Sequence, residues 1–344
     1  MAKQIDRRRF IQSTALGAAT VAAADALGVG LEEQILLTRL AEGVDRSSGE
    51  KPVDGLAKGK IGDVEISRLI CGGNITAGGA HARDLLYVSD LLKQYFTHEK
   101  IFETWELCEM NGINTVVGGL YVNMDVLRRY WDERGGTLQW LAQIHIYEDD
   151  LTSETQRAVD NGAVGAFVMG GMGDRWAENK WMDQLGTAVD YMKQQGLIAG
   201  IAGHDKCVPI NCEKAGLRHD FYFKTLHNDN YWSALPRPRP REEGGSLMSD
   251  ADERQADPVY KDCKWSHYPQ DTIAFMENVT KPWIAYKTLA AGAIHPSDGF
   301  QFAFENGADF LCVGMFDFQI REDVIIAKKV LADDAVKNRV RPWA

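Results

Sequence analysis

The sequence predicts an α/β protein folded as a single (β/α)8 barrel, and three observations lead to this prediction. Eight apolar runs of strand length recur after residue 58, rich in β-branched or aromatic residues and bounded by Gly, Asn or Asp. The segments between them carry apolar residues at three- and four-residue spacing, which is typical of amphipathic helices. A Gly repeatedly ends the helical segment just before the next run, as at Gly112, Gly162 and Gly307. Eight such units close into a parallel barrel, whose active site lies at the C-terminal ends of the strands.

The eight runs give the predicted strands and therefore the positions of the strand ends. In chain order they cover residues 66–74, 114–120, 138–146, 163–170, 197–204, 220–227, 281–289 and 308–317. A short hairpin over residues 60–66 precedes the first barrel strand, and we expect it to close the barrel floor. Function is then expected from the polar side chains that follow these runs.

Length and composition allow one barrel with extensions. Of the 344 residues we assign 58–344 to the barrel and 31–57 to a linker. An apolar content of 45% and a charged content of 25% predict a folded protein with a substantial core. The net charge of −11 argues against a nucleic-acid partner, because contacts to phosphates need clustered Lys and Arg.

The N-terminus resembles a twin-arginine export signal, which we assign to residues 1–30. Arg7 and Arg8 supply the arginine pair, and a weakly hydrophobic Ala/Gly-rich stretch follows them. The stretch is too mild, and is broken by Asp25, to be a stable membrane span. We therefore expect the twin-arginine export machinery as a partner and a periplasmic or otherwise exported protein. A basic amphipathic helix is the alternative interpretation.

A polar connection of unusual length follows the sixth run and covers residues 228–269. Loops of this length are uncommon and usually functional, so its place above the strand ends favours a lid. A disordered insertion is the alternative. Tryptophans after the fourth and sixth runs could stack on sugar rings, Trp232 in the lid among them, although packing would explain them equally well.

Three histidines follow barrel runs and are the candidate metal ligands: His145, His204 and His227. Imidazole binds Zn, Mn, Fe or Ni, and ligands from neighbouring strands can converge on the barrel axis. His145 is also a candidate catalytic group. The alternative for each histidine is an uncharged hydrogen-bonding residue in a polar pocket.

A lysine within the seventh run is the strongest candidate catalytic group. Lys287 would be costly to bury inside an apolar strand unless it were paired or deprotonated, so it is expected to reach the polar centre. There it could accept a proton or form a Schiff base. An ion pair with Asp317, itself a candidate substrate ligand, is the alternative. Lys224 is a weaker candidate of the same kind, and Asn74 is expected to bind substrate.

Several motifs, taken in order, resemble those of the aldo-keto reductases. The resemblance rests on the first strand at 66–74, the helix end at 109–115, the fifth strand at 196–204 and the seventh strand at 284–292. It covers roughly residues 60–330. It implies a (β/α)8 barrel, NADP as cofactor, and a nicotinamide stacked on Tyr286.

The catalytic tetrad of that family is largely missing from this chain. The family uses Asp and Tyr at strand two, Lys at strand three and His at strand four. Here only Tyr121 could match, because 141–145 holds no Lys and 168–171 no His.

The sequence thus supports a metal-assisted enzyme acting on a carbohydrate or keto-sugar-like substrate by proton abstraction, as a lyase or isomerase. An NADP-dependent oxidoreductase is the first alternative, and a catalytically inactive sugar-binding barrel is the second.

Overall fold

Eight parallel strands close into a barrel in the computed structural model of the chain, which confirms the predicted fold class. The structure describes residues 52–79, 86–121, 123–231, 266 and 268–344, and the unit that holds the barrel is Pro52–Ala344. The predicted export signal, most of the predicted linker and most of the predicted lid, including Trp232, lie outside the described residues.

The barrel strands fall within the eight predicted runs. They are β3 Leu69–Gly72, β4 Thr115–Gly119, β5 Gln139–Ile144, β6 Gly165–Val168, β7 Ile198–Gly203, β8 Phe221–Thr225, β9 Trp283–Tyr286 and β10 Phe310–Val313. Each pairs in parallel with its neighbours in chain order, and β10 pairs with β3 to close the ring.

Helices follow the strands and form the outer layer. In the described part of the chain they are α1 Leu86–Tyr95, α2 His98–Met110, α3 Met124–Arg134, α4 Ser153–Asp160, α5 Gly170–Glu178, α6 Met182–Gln194, α7 Cys207–Lys214, α8 Pro269–Met276, α9 Pro296–Glu305, α10 Asp317–Leu331 and α11 Asp334–Lys337. Among these described helices, not one combines the length and apolarity that crossing a bilayer requires.

Alternate residues of each strand pack into two separate cores. One core fills the barrel interior, with Leu141, Phe167, Phe221 and Ile284 among its members. The other lies between strands and helices and holds the neighbouring strand residues, such as Trp140 and Trp283. Because side chains alternate along a strand, one set of residues faces the barrel interior and the other faces the helices. The interior-facing residues near the C-terminal end of each strand are therefore the ones that can reach the mouth.

The predicted hairpin closes the barrel at the N-terminal ends of the strands. Strand β1 Lys58–Ile61 pairs antiparallel with β2 Val64–Ser67. Ile61 and Ile66 are fully buried and belong to the interior core. The barrel is thus closed at its floor.

A buried carboxylate ties the C-terminal segment to the same end of the barrel. Asp309, just before β10, accepts hydrogen bonds from Arg339 at 2.8 Å and Arg341 at 2.7 Å. It also accepts the backbone N–H of Trp283 at 2.9 Å and of Ala344 at 3.0 Å. We call these five residues the Asp309 cluster. One carboxylate serves two buried guanidinium groups, and their other N–H groups donate to backbone carbonyl oxygens, except Arg339 Nε, which has no partner among the described residues. Such pairing and hydrogen bonding reduce the penalty of burying ions.

Candidate active site

A cavity of about 320 Å³ opens at the C-terminal ends of the strands. Every barrel strand contributes at least one residue to its lining: Gly72, Val117, Gln143, Phe167, Ala202, Phe223, Tyr286 and Cys312. Its size is that of a small-molecule site, and its place is where barrels of this type hold their active sites.

Aromatic rings form the floor of the cavity and hold Tyr286 in place. Phe167 stacks on Phe223 with ring centroids 4.4 Å apart, and Phe223 packs against Tyr286 at 4.7 Å. The Tyr286 hydroxyl is buried and has no hydrogen-bond partner among the described residues. A buried hydroxyl without a partner is costly in a folded protein and is therefore unusual.

A backbone irregularity turns three consecutive residues towards the cavity. Tyr286, Lys287 and Thr288 all line it, although successive residues of a strand point to opposite sides. Lys287 has φ +56°, in the left-handed region, which ends the strand alternation at this point. The Thr288 hydroxyl is buried and, like that of Tyr286, has no hydrogen-bond partner in the part of the chain that the structure describes.

A histidine and an aspartate form a buried pair beside the cavity. The Asp174 carboxylate lies 2.7 Å from His204 Nδ1, and its other oxygen accepts the backbone N–H of His204 at 2.7 Å and of Asp205 at 3.0 Å. Helix α5 can approach β7 this closely because of Gly173, where a Cβ atom would overlap the carbonyl oxygen of Ala202. The carboxylate thus fixes both the backbone and the ring of His204.

The electrostatics of this pair set the protonation states at the mouth. Burial lowers the pKa of His204, although Asp174 opposes the shift, so the ring is neutral at pH 7. With Asp174 accepting Nδ1–H, the unprotonated nitrogen is Nε2, the arrangement of a general base. Burial and the charge of Asp174 raise the pKa of Tyr286, which keeps its hydroxyl protonated.

His204 and Tyr286 meet at a glycine of the cavity wall. A Cβ atom on Gly170 would lie 2.5 Å from the Tyr286 hydroxyl and 2.7 Å from His204 Cε1. Only glycine leaves room for both groups. A neutral imidazole and a protonated phenol therefore stand side by side behind this part of the wall, with ring centroids 5.4 Å apart; Tyr286 lines the cavity, whereas His204 lies just beyond it.

Lys224, a weaker catalytic candidate from the sequence, binds the backbone of His204 on the side away from the cavity. It is buried, does not line the cavity, and donates to the carbonyl oxygen of His204 at 2.7 Å and to the Thr225 hydroxyl at 2.9 Å. Burial lowers the pKa of its ammonium group to about 8. Its position indicates that it holds the His204 backbone.

The three predicted metal ligands do not converge in the structure. His145 binds Glu154 through its backbone N–H at 2.7 Å and Nδ1 at 3.3 Å. His227 is fully buried, with Nδ1 2.6 Å from the carbonyl oxygen of Asn228 and Nε2 accepting the N–H of Ser266 at 3.0 Å. Within the described ranges, no group of three or more His, Cys, Asp or Glu side chains could hold a metal ion.

The other predicted site residues divide between the cavity and the surface. Asn74, Tyr286 and Lys287 line the cavity, and their predicted substrate-binding and catalytic roles stay predictions. Tyr121 is 64% exposed and donates to Glu154 at 2.7 Å, so it stands with His145 on the rim.

Asp317 does not form the alternative ion pair with Lys287 either. It is the first residue of α10, where its carboxylate accepts the Tyr95 hydroxyl at 2.5 Å and pairs with Lys100 at 3.2 Å. Its carboxylate is therefore already engaged, and it does not line the cavity.

Asp174 and Thr288 are the site residues that sequence reasoning missed. A signal for Asp174 exists, because Gly170, Gly173, Asp174 and Ala177 share the buried stripe of α5, where an acid is out of place. Thr288 carries no such signal, since its importance follows from the left-handed backbone before it.

A nicotinamide cofactor, which the family resemblance implies, does not fit the groups at the mouth. Gln143 and Phe167 stand at the ends of the third and fourth barrel strands, where the family has Lys and His. The cavity reaches the N-terminus of α10 at Phe316, but the Phe316 N–H already donates to Gln319 at 3.1 Å. The Asp317 carboxylate adds negative charge where a pyrophosphate would need positive potential.

Comparison with solved structures supports the fold. Neither a protein-family model nor a curated protein matches this chain. Two structures described as an aldo-keto reductase from Pseudomonas aeruginosa do match. One is 13% identical over 81% of this chain and 97% of that chain, with a TM-score of 0.54. The other is 12% identical over 80% and 95% of the two chains, with a TM-score of 0.51.

An aldo-keto reductase from Bacillus halodurans in its holo form is 11% identical over 84% of this chain and 98% of that chain, with a TM-score of 0.49. At such identities the likeness shows the fold alone. The chain therefore has the (β/α)8 barrel that aldo-keto reductases also adopt, and its chemistry has to be inferred from its own residues.

Proposed function

We propose that this chain is an enzyme that moves a proton on a small carbohydrate-like carbonyl compound, as an isomerase or lyase. The single observation that carries the proposal is the unpartnered Tyr286 hydroxyl beside the Asp174-bound ring of His204, within the described part of the barrel. One group can give a proton and its neighbour can take one, which is the minimum set for this chemistry.

Each residue of the pair has a defined role in the proposed reaction. His204 Nε2 takes the proton from the carbon next to the carbonyl, and Asp174 stabilises the imidazolium that forms. Tyr286 donates its hydrogen bond to the carbonyl oxygen as negative charge develops there. In isomerisation the imidazolium returns the proton to the former carbonyl carbon, while Tyr286 gives its proton to the carbonyl oxygen and takes one from the adjacent hydroxyl. In elimination the hydroxyl on the β-carbon takes the proton held by the imidazolium and leaves as water.

The cavity lining supports a small polar substrate with one apolar side. Phe167, Phe223 and Val117 form an apolar floor, whereas Asn74 and Gln143 offer amide groups. Such a division suits a sugar-like compound, whose ring or chain has a carbon face and hydroxyl edges. The N-terminal signal predicted from the sequence would place this reaction outside the cytoplasm.

Deuterium exchange tests the proposal on a panel of compounds, so the natural substrate need not be identified first. The purified chain is incubated in D₂O with a panel of aldoses, ketoses and their acids, and ¹H NMR follows loss of signal at the carbon next to the carbonyl. We expect exchange in at least one compound, and a fall of about 10²–10⁴-fold in the His204→Gln variant.

His145→Gln is the matched control, because His145 also follows a barrel strand and binds a carboxylate but lies on the rim. It is expected to exchange like the unaltered chain. Exchange that persists in His204→Gln, or that is absent from the whole panel, would contradict the proposed function.

A further inference from the structure

Helix α5 begins beside the cavity, and its first turn holds backbone N–H groups that the helix itself does not use. The first residue, Gly170, lines the cavity. Met172 and Gly173 donate their N–H groups to the carbonyl oxygen of Met169. The N–H groups of Gly170 and Gly171 have no acceptor in the part of the chain that the structure describes. Two backbone donors are therefore open at this helix end.

The side chains at the start of α5 leave these donors open. Met169 precedes the helix and makes no capping hydrogen bond, and the first turn contains no acid. The first acid along α5 is Asp174, whose carboxylate is bound by His204 and by the backbone N–H of Asp205. The helix end thus offers donors without an acceptor of its own in the first turn.

The Tyr286 hydroxyl provides a second, independent observation at the same point. It is buried and has no hydrogen-bond partner among the described residues. It lies against Gly170, where a Cβ atom would come within 2.5 Å of the hydroxyl oxygen. A phenol can donate one hydrogen bond. A ligand oxygen beside Gly170 and Tyr286 would therefore accept hydrogen bonds from the ring hydroxyl and from the helix end.

Donors of this kind stabilise an oxygen on which negative charge develops. The two N–H groups and the hydroxyl are neutral, so they act on charge that forms during a reaction and do not require an ionised ligand. Glycine at the first two helix positions also lets a ligand approach the backbone closely, which a side chain would prevent.

We propose that the N–H groups of Gly170 and Gly171 and the hydroxyl of Tyr286 form an oxyanion hole for the carbonyl oxygen of the substrate. The hole rests on the proposed function, because it holds the oxygen of the compound from which His204 takes a proton. As the proton leaves, the C–H electron pair forms a new C=C bond and the carbonyl π pair moves to the oxygen. The three donors meet this oxygen, so the substrate carbonyl lies against the start of α5.

Exchange of an amide for an ester tests the backbone donors one at a time. Replacement of Gly170 by glycolate puts an ester oxygen in place of the N–H group and adds no atom to the cavity wall. Replacement of Gly171 by glycolate does the same one residue further on. Deuterium exchange of the substrate should fall about 10²–10³-fold in each case.

Replacement of Gly173 by glycolate is the matched control. The N–H of Gly173 donates to the carbonyl oxygen of Met169 at 2.9 Å. The control removes the donor of this hydrogen bond, and the change at Gly170 weakens the same bond by making the Met169 carbonyl a poorer acceptor. Only the change at Gly170 removes a donor of the proposed hole. Deuterium exchange in the control should stay close to that of the unaltered chain.

Binding of an enediolate analogue tests the hole without relying on catalysis. Ionised glycolohydroxamate carries an oxyanion beside a carbonyl, and glycolamide is its neutral counterpart. In the full chain with ¹⁵N-labelled glycine and a chelator present, the N–H proton signals of Gly170 and Gly171 should move downfield with the hydroxamate. The hydroxamate should bind at least about tenfold more tightly than glycolamide, and replacement of Gly170 by glycolate should remove most of this preference.

Three outcomes would overturn the oxyanion hole: glycine signals that do not respond to the hydroxamate, equal binding of the two compounds, or equal losses of exchange after replacement of Gly170 and of Gly173. These outcomes differ from failure of the proposed function. Preference for the hydroxamate without deuterium exchange in the panel would refute the proton transfer and keep the hole. Exchange that both Gly170 and Gly171 replacements leave unchanged would refute the hole and keep the proton transfer.

Discussion

The two ends of the barrel differ in how their main buried polar groups are paired. At the floor, the carboxylate of Asp309 is surrounded by Arg339, Arg341 and backbone N–H groups. At the mouth, the hydroxyls of Tyr286 and Thr288 are buried with no partner in the described ranges. Because proteins normally satisfy such groups, the difference indicates that the floor serves stability and the mouth is kept for a ligand.

Energetic estimates agree with this division. Each unpartnered buried hydroxyl costs about 1–3 kcal/mol, and the left-handed Lys287 adds a similar amount. A ligand that accepted both hydrogen bonds would recover part of this free energy on binding. The mouth is therefore expected to gain stability from a ligand, whereas the floor is stable without one.

The Asp309 cluster should show the largest effect on stability. Asp309→Ala leaves two buried guanidinium groups without their counter-charge, so the free energy of unfolding should fall by about 3–5 kcal/mol. Urea unfolding followed by circular dichroism measures the change. Asp132→Asn, at an exposed acid on α3, should change it by less than about 0.5 kcal/mol. A loss no larger than that of the control would show that the Asp309 cluster does not stabilise the fold.

Asp174 should affect the reaction and its pH dependence. In Asp174→Asn the ring of His204 loses the charge that fixes its tautomer, and exchange should fall about 10²–10³-fold. Burial lowers the pKa of His204 and Asp174 opposes this. Removing Asp174 should therefore lower that pKa further, and the acid limb of the residual rate should move to lower pH. A limb that moves to higher pH would contradict the role of Asp174.

His219 is an exception at the floor, because it is a buried polar side chain without a counter-charge. It lies just before β8 and is buried, and neither ring nitrogen makes a hydrogen bond of good geometry to the described residues. Burial lowers its pKa to about 3, and a weak contact with the backbone of Leu217 opposes the shift. The neutral ring is fully compatible with folding above the unfolded pKa of 6.5, and stability is lost as pH falls towards 3. At pH 5 this loss should be about 2 kcal/mol.

His219→Phe keeps a ring against Tyr222 but cannot take up a proton. The fall in unfolding free energy between pH 7 and pH 5 should therefore be about 2 kcal/mol smaller in this variant. His98→Gln, at an exposed position, is the control and should behave like the unaltered chain. Identical pH dependence in all three proteins would refute the assignment.

Strain near the mouth should give the smallest effect. Ala291 also lines the cavity and has φ +54°. Ala291→Gly should raise the free energy of unfolding by about 1 kcal/mol, because glycine adopts this region without steric cost. Ala335→Gly, within α11, should lower it by a similar amount. Destabilisation by both changes would show that residue 291 is not strained.

The barrel could be predicted because its signal is repeated eight times. Each strand lies inside a predicted run, and the cavity is lined by residues from the C-terminal parts of these runs, Asn74, Tyr286 and Lys287 among them. Strand position is encoded in local apolar pattern, so the sequence alone is enough to locate it.

The direction of side chains just beyond the strand ends could not be predicted in the same way. His204 reaches Tyr286, but His145 turns to Glu154 on the rim and His227 binds the backbone of its own loop. All three follow barrel strands, yet strand alternation no longer fixes their direction once the ladder ends. Pairing with Asp174 depends on the approach of α5, which is a tertiary contact.

The role of the Tyr286 hydroxyl is tested by the Tyr286→Phe variant, measured for both deuterium exchange and unfolding free energy. We expect exchange to fall about 10²–10⁴-fold and stability to stay unchanged or rise by about 1 kcal/mol, since the lost hydroxyl had no partner among the described residues. A variant that unfolds more easily and exchanges at the original rate would show that the hydroxyl serves the fold and not the reaction.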